Sequence, residues 1–189
     1  MQILIASDIF GKTPALEALV SRIERYYADA KIIDPYNSEY QKFSDENDAY
    51  SFFRQNIGFS GYSYLVRQEI KKLKDSSILL GFSIGASAIW TSSDISGLPQ
   101  ETKAFCFYGS QIRNYLNIFP EIEINLYFPI SENHFDVIDL IEKVSLKPNV
   151  NCTQTSFYHG FMNTLSKNYD EYGYLKYIEL INTFHFNSS

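Results

Sequence analysis

"LLGFSIGASAIW", residues 79–90, runs from an apolar stretch through Gly81, Ser83 and Gly85 into a second apolar stretch. It reads as a buried strand that turns sharply into a helix. A lone hydroxyl between two glycines at such a turn has two explanations, a tight connection that needs small residues or a catalytic nucleophile. The five residues Gly81-Phe82-Ser83-Ile84-Gly85 satisfy G-x-S-x-G, and the flanks are those of a nucleophile elbow: strand before, helix after. In that turn bulky neighbours would clash with the backbone, so the glycines have a steric task. The helix N-terminus behind the serine favours a developing negative charge.

Working outward, short β-rich runs alternate with longer segments of helical period, the pattern of an α/β fold with a mostly parallel sheet and helices on both faces. The strand candidates are 2–6 "QILIA", 30–34 "AKIID", 77–82 "SILLGF", 103–108 "KAFCFY", 123–128 "EINLYF" and 152–158 "CTQTSFY". Thr13 and Pro14 read as N-cap and first-turn proline of a helix whose Leu16, Leu19, Val20, Ile23 and Tyr27 share one face. Val66, Ile70 and Leu73 repeat that spacing before the third strand, and Leu175, Ile178 and Ile181 or Asn182 do so near the end of the chain. The polar and aromatic segment 35–60 predicts a long connection with a short helix from about Asp45, able to cap a site.

The chain has 189 residues, 45% of them hydrophobic, which suits a single domain spanning 1–189. Its formal net charge of -6 argues against nucleic acid or an anionic membrane as partner and for a small molecule or a protein. No apolar run approaches the ~20 residues that span a bilayer, and the N-terminus has no basic leader, so a cytoplasmic location is expected. Cys106 and Cys152 lack C-x-x-C spacing and read as buried free thiols rather than a disulfide scaffold, and no metal site is indicated. The turns carry neither G-x-G-x-x-G nor G-K-[ST], so no loop is built to cradle phosphates.

A serine nucleophile needs a base, and the chain has His134, His159 and His185. His159, in "SFYHGFMN" after the last strand candidate, falls at the carboxyl edge of the sheet, where Ser83 also lies. His185 sits near the C-terminus and reads as a surface or packing residue. His134 follows the fifth strand, too early for the chain order nucleophile, acid, histidine.

Six segments, "SDIFGKTPALEALVSRI", "IIDPY", "LLGFSIGASA", "AFCFYGSQI", "SENHFDVIDLIEKV" and "YHGFMN", stand in the order and roughly at the spacing of the dienelactone hydrolase family of α/β-hydrolases, which the chain resembles over residues 1 to about 165. The resemblance implies an α/β-hydrolase fold of about six strands, cut short at the N-terminal edge relative to the family. It implies hydrolysis of a carboxylic ester, thioester or lactone without a cofactor. Ser83 becomes the nucleophile, His159 the base, and the main-chain amides of Ile9 and Ile84 the oxyanion hole. The family places a cysteine and a glutamate where this chain has Ser83 and Asp8, the latter a substrate-binding position.

One departure bears on mechanism. The family's aspartate, any residue, aromatic pattern aligns with Asn133-His134-Phe135, so an asparagine occupies the acid slot. Asn133 could orient His159 through its amide oxygen but could not stabilise an imidazolium by charge. Asp136 is the nearby carboxylate expected to supply that charge, with Glu132 a weaker candidate. Asn133 and the shortened sheet equally suit a second reading, an α/β-hydrolase-fold binding or interaction protein that has lost catalysis.

Overall fold

The central strands are near-continuous apolar runs, so the sheet must bury both faces. The computed structural model describes residues 1–183 and meets that requirement with six parallel strands flanked by helices. The strands are β1 (Gln2–Ala6), β2 (Asp29–Ile33), β3 (Ser77–Phe82), β4 (Lys103–Phe107), β5 (Glu123–Phe128) and β6 (Val150–Gln154). Their order across the sheet is β2-β1-β3-β4-β5-β6. The helices are α1 (Pro14–Ile23), α2 (Glu46–Asn56), α3 (Gly58–Ile70), α4 (Ile84–Ser92), α5 (Val137–Ser145) and α6 (Glu171–Thr183).

The period-2 alternation sorts the core into two layers. Ile3, Ile5, Ile78, Leu80, Phe105 and Phe107 meet α1 and α6 on one face. Leu4, Ala6, Leu79, Ala104, Cys106 and Leu126 meet α2, α3, α4 and α5 on the other. Each fully buried Ile, Leu or Phe contributes about 1.5–3 kcal/mol relative to exposure, so these layers are what hold the helices in place.

Helix α1 starts as its sequence requires, with Thr13 Oγ1 accepting from Leu16 N at 3.1 Å and Leu19, Val20 and Ile23 buried. Three expectations are corrected. Segment 35–60 does begin a helix at Asp45, which caps α2, but that helix runs on to Asn56, and Gly58, with φ of +60°, then opens α3 as its first residue. Their buried faces rely on Ala49, Phe53, Tyr62, Val66 and Ile70, with tyrosines and polar residues masking the period. The last strand lies at 150–154 rather than 152–158, because β6 is an edge strand with one neighbour and needs little apolar content. In α6, Leu175 faces solvent and the buried stripe is Tyr174, Tyr177, Ile178 and Ile181, tyrosine rings serving as core. Cys106 is buried and Cys152 half-buried, both as free thiols. No helix among the described residues is long and apolar enough to cross a membrane.

Chain direction reverses across the sheet between β1 and β3: β2 lies to one side of β1, and β3 to β6 lie to the other. The loops leaving the carboxyl ends of these strands part there and leave a crevice, the usual ligand position in an open α/β sheet.

Candidate active site

Ser83 stands in that crevice, between the end of β3 and the start of α4. Its N–H continues the sheet ladder by donating to Phe107 O at 2.9 Å, and the chain then turns with φ of +52° and ψ of -112°. This is a conformation that non-glycine residues occupy only when the surroundings hold them there. The glycines provide the holding. A Cβ on Gly85 would lie 2.2 Å from Ala6 O, and one on Gly81 would lie 2.7 Å from the Ala86 backbone. Helix α4 can therefore begin directly against β1 and β3, and its first turn points at Ser83.

The Ser83 hydroxyl lies 3.0 Å from His159 Nε2. His159 Nδ1 lies 2.6 Å from Glu132 Oε1. With Nδ1–H donating to the carboxylate, Nε2 is free to accept the serine proton, the tautomer that a base in this position requires. The loops after β5 and β6 carry the two side chains and are stitched together. Ile130 N donates to Phe157 O at 2.8 Å, and Gln154 Nε2 donates to Ile130 O at 3.1 Å. Asn168 Nδ2 donates to His159 O at 2.8 Å, and the His159 ring packs on Tyr108 with centroids 4.9 Å apart.

The carboxylate that meets His159 is thus Glu132, and neither Asn133 nor Asp136. Asn133 is exposed, in the loop between β5 and α5. Asp136 is spent as the N-cap of α5, accepting from Ile138 N at 2.8 Å and Asp139 N at 3.3 Å. His134 is exposed beside them, and His185 lies outside the described residues.

Asp8, Ile9 and Phe10 form the loop after β1. Asp8 Oδ1 accepts from Phe10 N at 2.9 Å and Oδ2 accepts from Asn163 Nδ2 at 2.7 Å, which ties this loop to the one bearing His159. Burial pushes the Asp8 carboxyl above the usual range, against the pull of Asn163, Phe10 N–H and His159. Asp8, Ile9, Ser83, Tyr108, His159 and Asn163 surround a cavity of about 20 Å³, room for one water-sized group. Ile9 lines that cavity, and Ile84 is the first residue of α4, a position whose N–H has no partner within the helix. On the far side of Ile84 a groove of about 210 Å³ is lined by Tyr50, Phe53, Phe59, Arg54 and Gln111. Among the described residues no group of three or more His, Cys, Asp and Glu side chains is placed to hold a metal ion.

No family model matches the chain. An uncharacterized protein of Bacillus subtilis, YczH, is 26% identical over 185 residues, 95% of this chain and 89% of that one. A crystal structure of a candidate dienelactone hydrolase from Klebsiella pneumoniae superposes with a TM-score of 0.72 at 10% identity, covering 98% of this chain and 86% of that one. A dienelactone hydrolase-like promiscuous phosphotriesterase, P91, from metagenomic libraries superposes with a TM-score of 0.68 at 10% identity, covering 98% and 85%. At such identities the likeness is one of architecture: the chain has the α/β-hydrolase fold, in the form seen in dienelactone hydrolase-like proteins.

Proposed function

We propose that the protein is a serine hydrolase that cleaves a carboxylic ester, thioester or lactone through an acyl-enzyme. The observation that carries this reading is the unbroken chain Ser83 Oγ, His159 Nε2, His159 Nδ1, Glu132 Oε1, at 3.0 and 2.6 Å. In the first half-reaction Ser83 Oγ attacks the carbonyl carbon while His159 takes its proton, and Glu132 faces the imidazolium that forms. The carbonyl oxygen becomes an oxyanion held by the Ile9 and Ile84 amides. The intermediate collapses by expelling the alcohol, thiol or ring oxygen, which receives the proton from His159. Water then repeats the sequence on the acyl-serine, with His159 as base, and releases the carboxylic acid. No step calls for a metal or an organic cofactor.

The strained backbone at Ser83 and the tight packing at Gly81 and Gly85 support the same reading, since a plain turn needs neither. The non-catalytic reading drew on Asn133 in the acid slot and on the shortened sheet. Glu132 beside His159 removes the first of these supports. The dienelactone hydrolase-like neighbours support a small-molecule substrate.

The test is covalent labelling by a fluorophosphonate, with hydrolysis of p-nitrophenyl acetate in parallel. Wild type is expected to label at one site and to hydrolyse the ester, and Ser83→Ala to do neither. Equal labelling and equal rates in the two proteins would sink the proposal.

A further inference from the structure

The Ile9 amide can stabilise an oxyanion only if it points at one, and both peptides that flank Ile9 are pinned by partners outside the reaction. In the peptide before Ile9, Asp8 O accepts from Gly11 N at 3.1 Å and from Ser7 Oγ at 3.1 Å. In the peptide after it, Phe10 N donates to Asp8 Oδ1 at 2.9 Å, and Ile9 O accepts from the Tyr36 hydroxyl at 2.7 Å. The Ile9 N–H lies in the plane of the first peptide, and the bonds on the second hold the Ile9 Cα on which that plane hinges, so the N–H is fixed from both sides.

Tyr36 is the partner that comes from another part of the chain, the connection after β2. It is itself seated by Asp34, whose Oδ1 accepts from Tyr36 N at 2.8 Å and whose Oδ2 accepts from Ser38 N at 2.9 Å. Its ring lies against the Gly11 backbone and packs edge-on to Phe43 and Phe52, at 5.8 and 5.4 Å between centroids. Tyr62 fixes the root of the same loop: its hydroxyl lies 2.8 Å from Ile33 O and 3.1 Å from Ser7 O. Asp34, Tyr36 and Tyr62 are buried, and burial also keeps the Tyr36 hydroxyl protonated, hence a donor, across the ordinary pH range.

We propose that Tyr36, seated by Asp34, is a positioning residue that aims the Ile9 amide at the oxyanion formed when Ser83 attacks. The proposal rests on the hydrolase reading above. It separates the oxyanion donor, which is main chain, from the side chain that decides where the donor points. Without that hydroxyl the peptide after Ile9 is free to turn, because water can satisfy Ile9 O in several orientations, and the Ile9 Cα that carries the N–H shifts with it.

The experiment compares wild type, Tyr36→Phe and Tyr27→Phe in the full chain. Tyr36→Phe removes one oxygen and keeps the ring on Gly11. Tyr27→Phe removes a comparable buried donor whose partner, Ile181 O at 3.0 Å, is on α6, away from Ser83. Four quantities are read: kcat and KM for p-nitrophenyl acetate, the inhibition constant of a trifluoromethyl ketone that forms a hemiketal oxyanion, and the thermal midpoint. Loss of a whole oxyanion donor costs about 10²–10³ in kcat, so misaiming one is expected to lower kcat about tenfold or more. The inhibition constant should rise by a similar factor with KM little changed, the signature of an interaction made only in the transition state. Tyr27→Phe is expected to lower the midpoint alone. Should Tyr36→Phe fold poorly, Asp34→Asn, which loosens the seat and leaves the hydroxyl, is expected to give the same paired change at smaller size.

A Tyr36→Phe enzyme with wild-type kcat and inhibition constant would overturn the proposal and leave the hydrolase reading standing. So would a fall in kcat with no change in the inhibition constant. A wild type that neither labels nor hydrolyses would overturn both.

Discussion

Glu132 and His159 meet at 2.6 Å although they leave the sheet from different strands, and the meeting depends on Ile130 and Phe157 joining their loops. The pair sets the tautomer of the base and places a negative charge against it. Glu132→Gln keeps the shape and loses the charge. Neutralising the acid of a serine triad costs on the order of ten-thousandfold in turnover, and a loss of that order in kcat is expected here, with KM little changed. A loss of less than about tenfold would mean that Glu132 does not act through His159.

Asp136 separates stability from catalysis. Its carboxylate caps α5 and reaches no part of the site, so Asp136→Ala should cost about 1 kcal/mol in a urea titration and leave kcat unchanged. Asn133→Asp, on an exposed loop position, should leave both unchanged. A strong gain in rate from Asn133→Asp would show that the loop after β5 presents a different side chain to His159 than the structure does.

What could be read from the sequence is what sterics and periodicity write locally. The elbow is legible because close backbone approach at residues 81 and 85 admits only glycine, and the central strands because burial on both faces demands unbroken apolar runs. His159 is legible from its place after the last strand. Glu132 is not, since which of Glu132, Asn133 and Asp136 reaches the base depends on the loop path. That path is set by a hydrogen bond to Phe157 and by the demand of α5 for a cap, neither visible in spacing. The role of Tyr36 was hidden for the same reason: its partner, Ile9 O, is a main-chain atom 27 residues away. β6 and α2 were blurred because an exposed edge strand and a tyrosine-rich helix carry weak apolar periods.

His159→Ala is expected to abolish hydrolysis, and His134→Ala to be mild, because His159 lies 3.0 Å from the Ser83 hydroxyl and His134 is exposed. His159→Ala should also lower the thermal midpoint more than His134→Ala, since its ring packs on Tyr108 and partners Glu132 whereas His134 is exposed. A dead His134→Ala enzyme would place the base in the wrong loop.

Two glycines in different circumstances should respond differently to alanine. At Gly85 a Cβ would meet the Ala6 carbonyl at 2.2 Å, and backbone cannot step aside as a side chain can, so Gly85→Ala should cost at least about 3 kcal/mol. At Gly58 nothing lies within 4 Å, and the cost is only that of holding φ at +60°, roughly 1 kcal/mol. Urea midpoints of the two variants check the order, and equal midpoints would refute the packing account of the elbow.

The sheet edge at β2 offers a test by pH. Glu69, on α3, accepts from Lys31 Nζ of β2 at 2.6 Å and from Lys72 Nζ at 2.7 Å, and these two ammonium groups hold its carboxyl below the ordinary value of 4.5. A carboxylate with a lowered folded-state pKa binds its proton more weakly in the folded chain than in the unfolded one. Its stabilising contribution is therefore complete above pH 4.5 and fades as pH falls below that value, once the folded carboxylate takes up its proton. Glu69→Gln should accordingly melt below wild type at pH 7, and the gap should narrow steadily as the buffer is taken down from pH 4.5. Salt should shrink the gap at pH 7, because Lys31 and Lys72 are largely exposed. A gap that stays constant through the acid range would mean that Glu69 holds β2 to α3 by shape and not by charge.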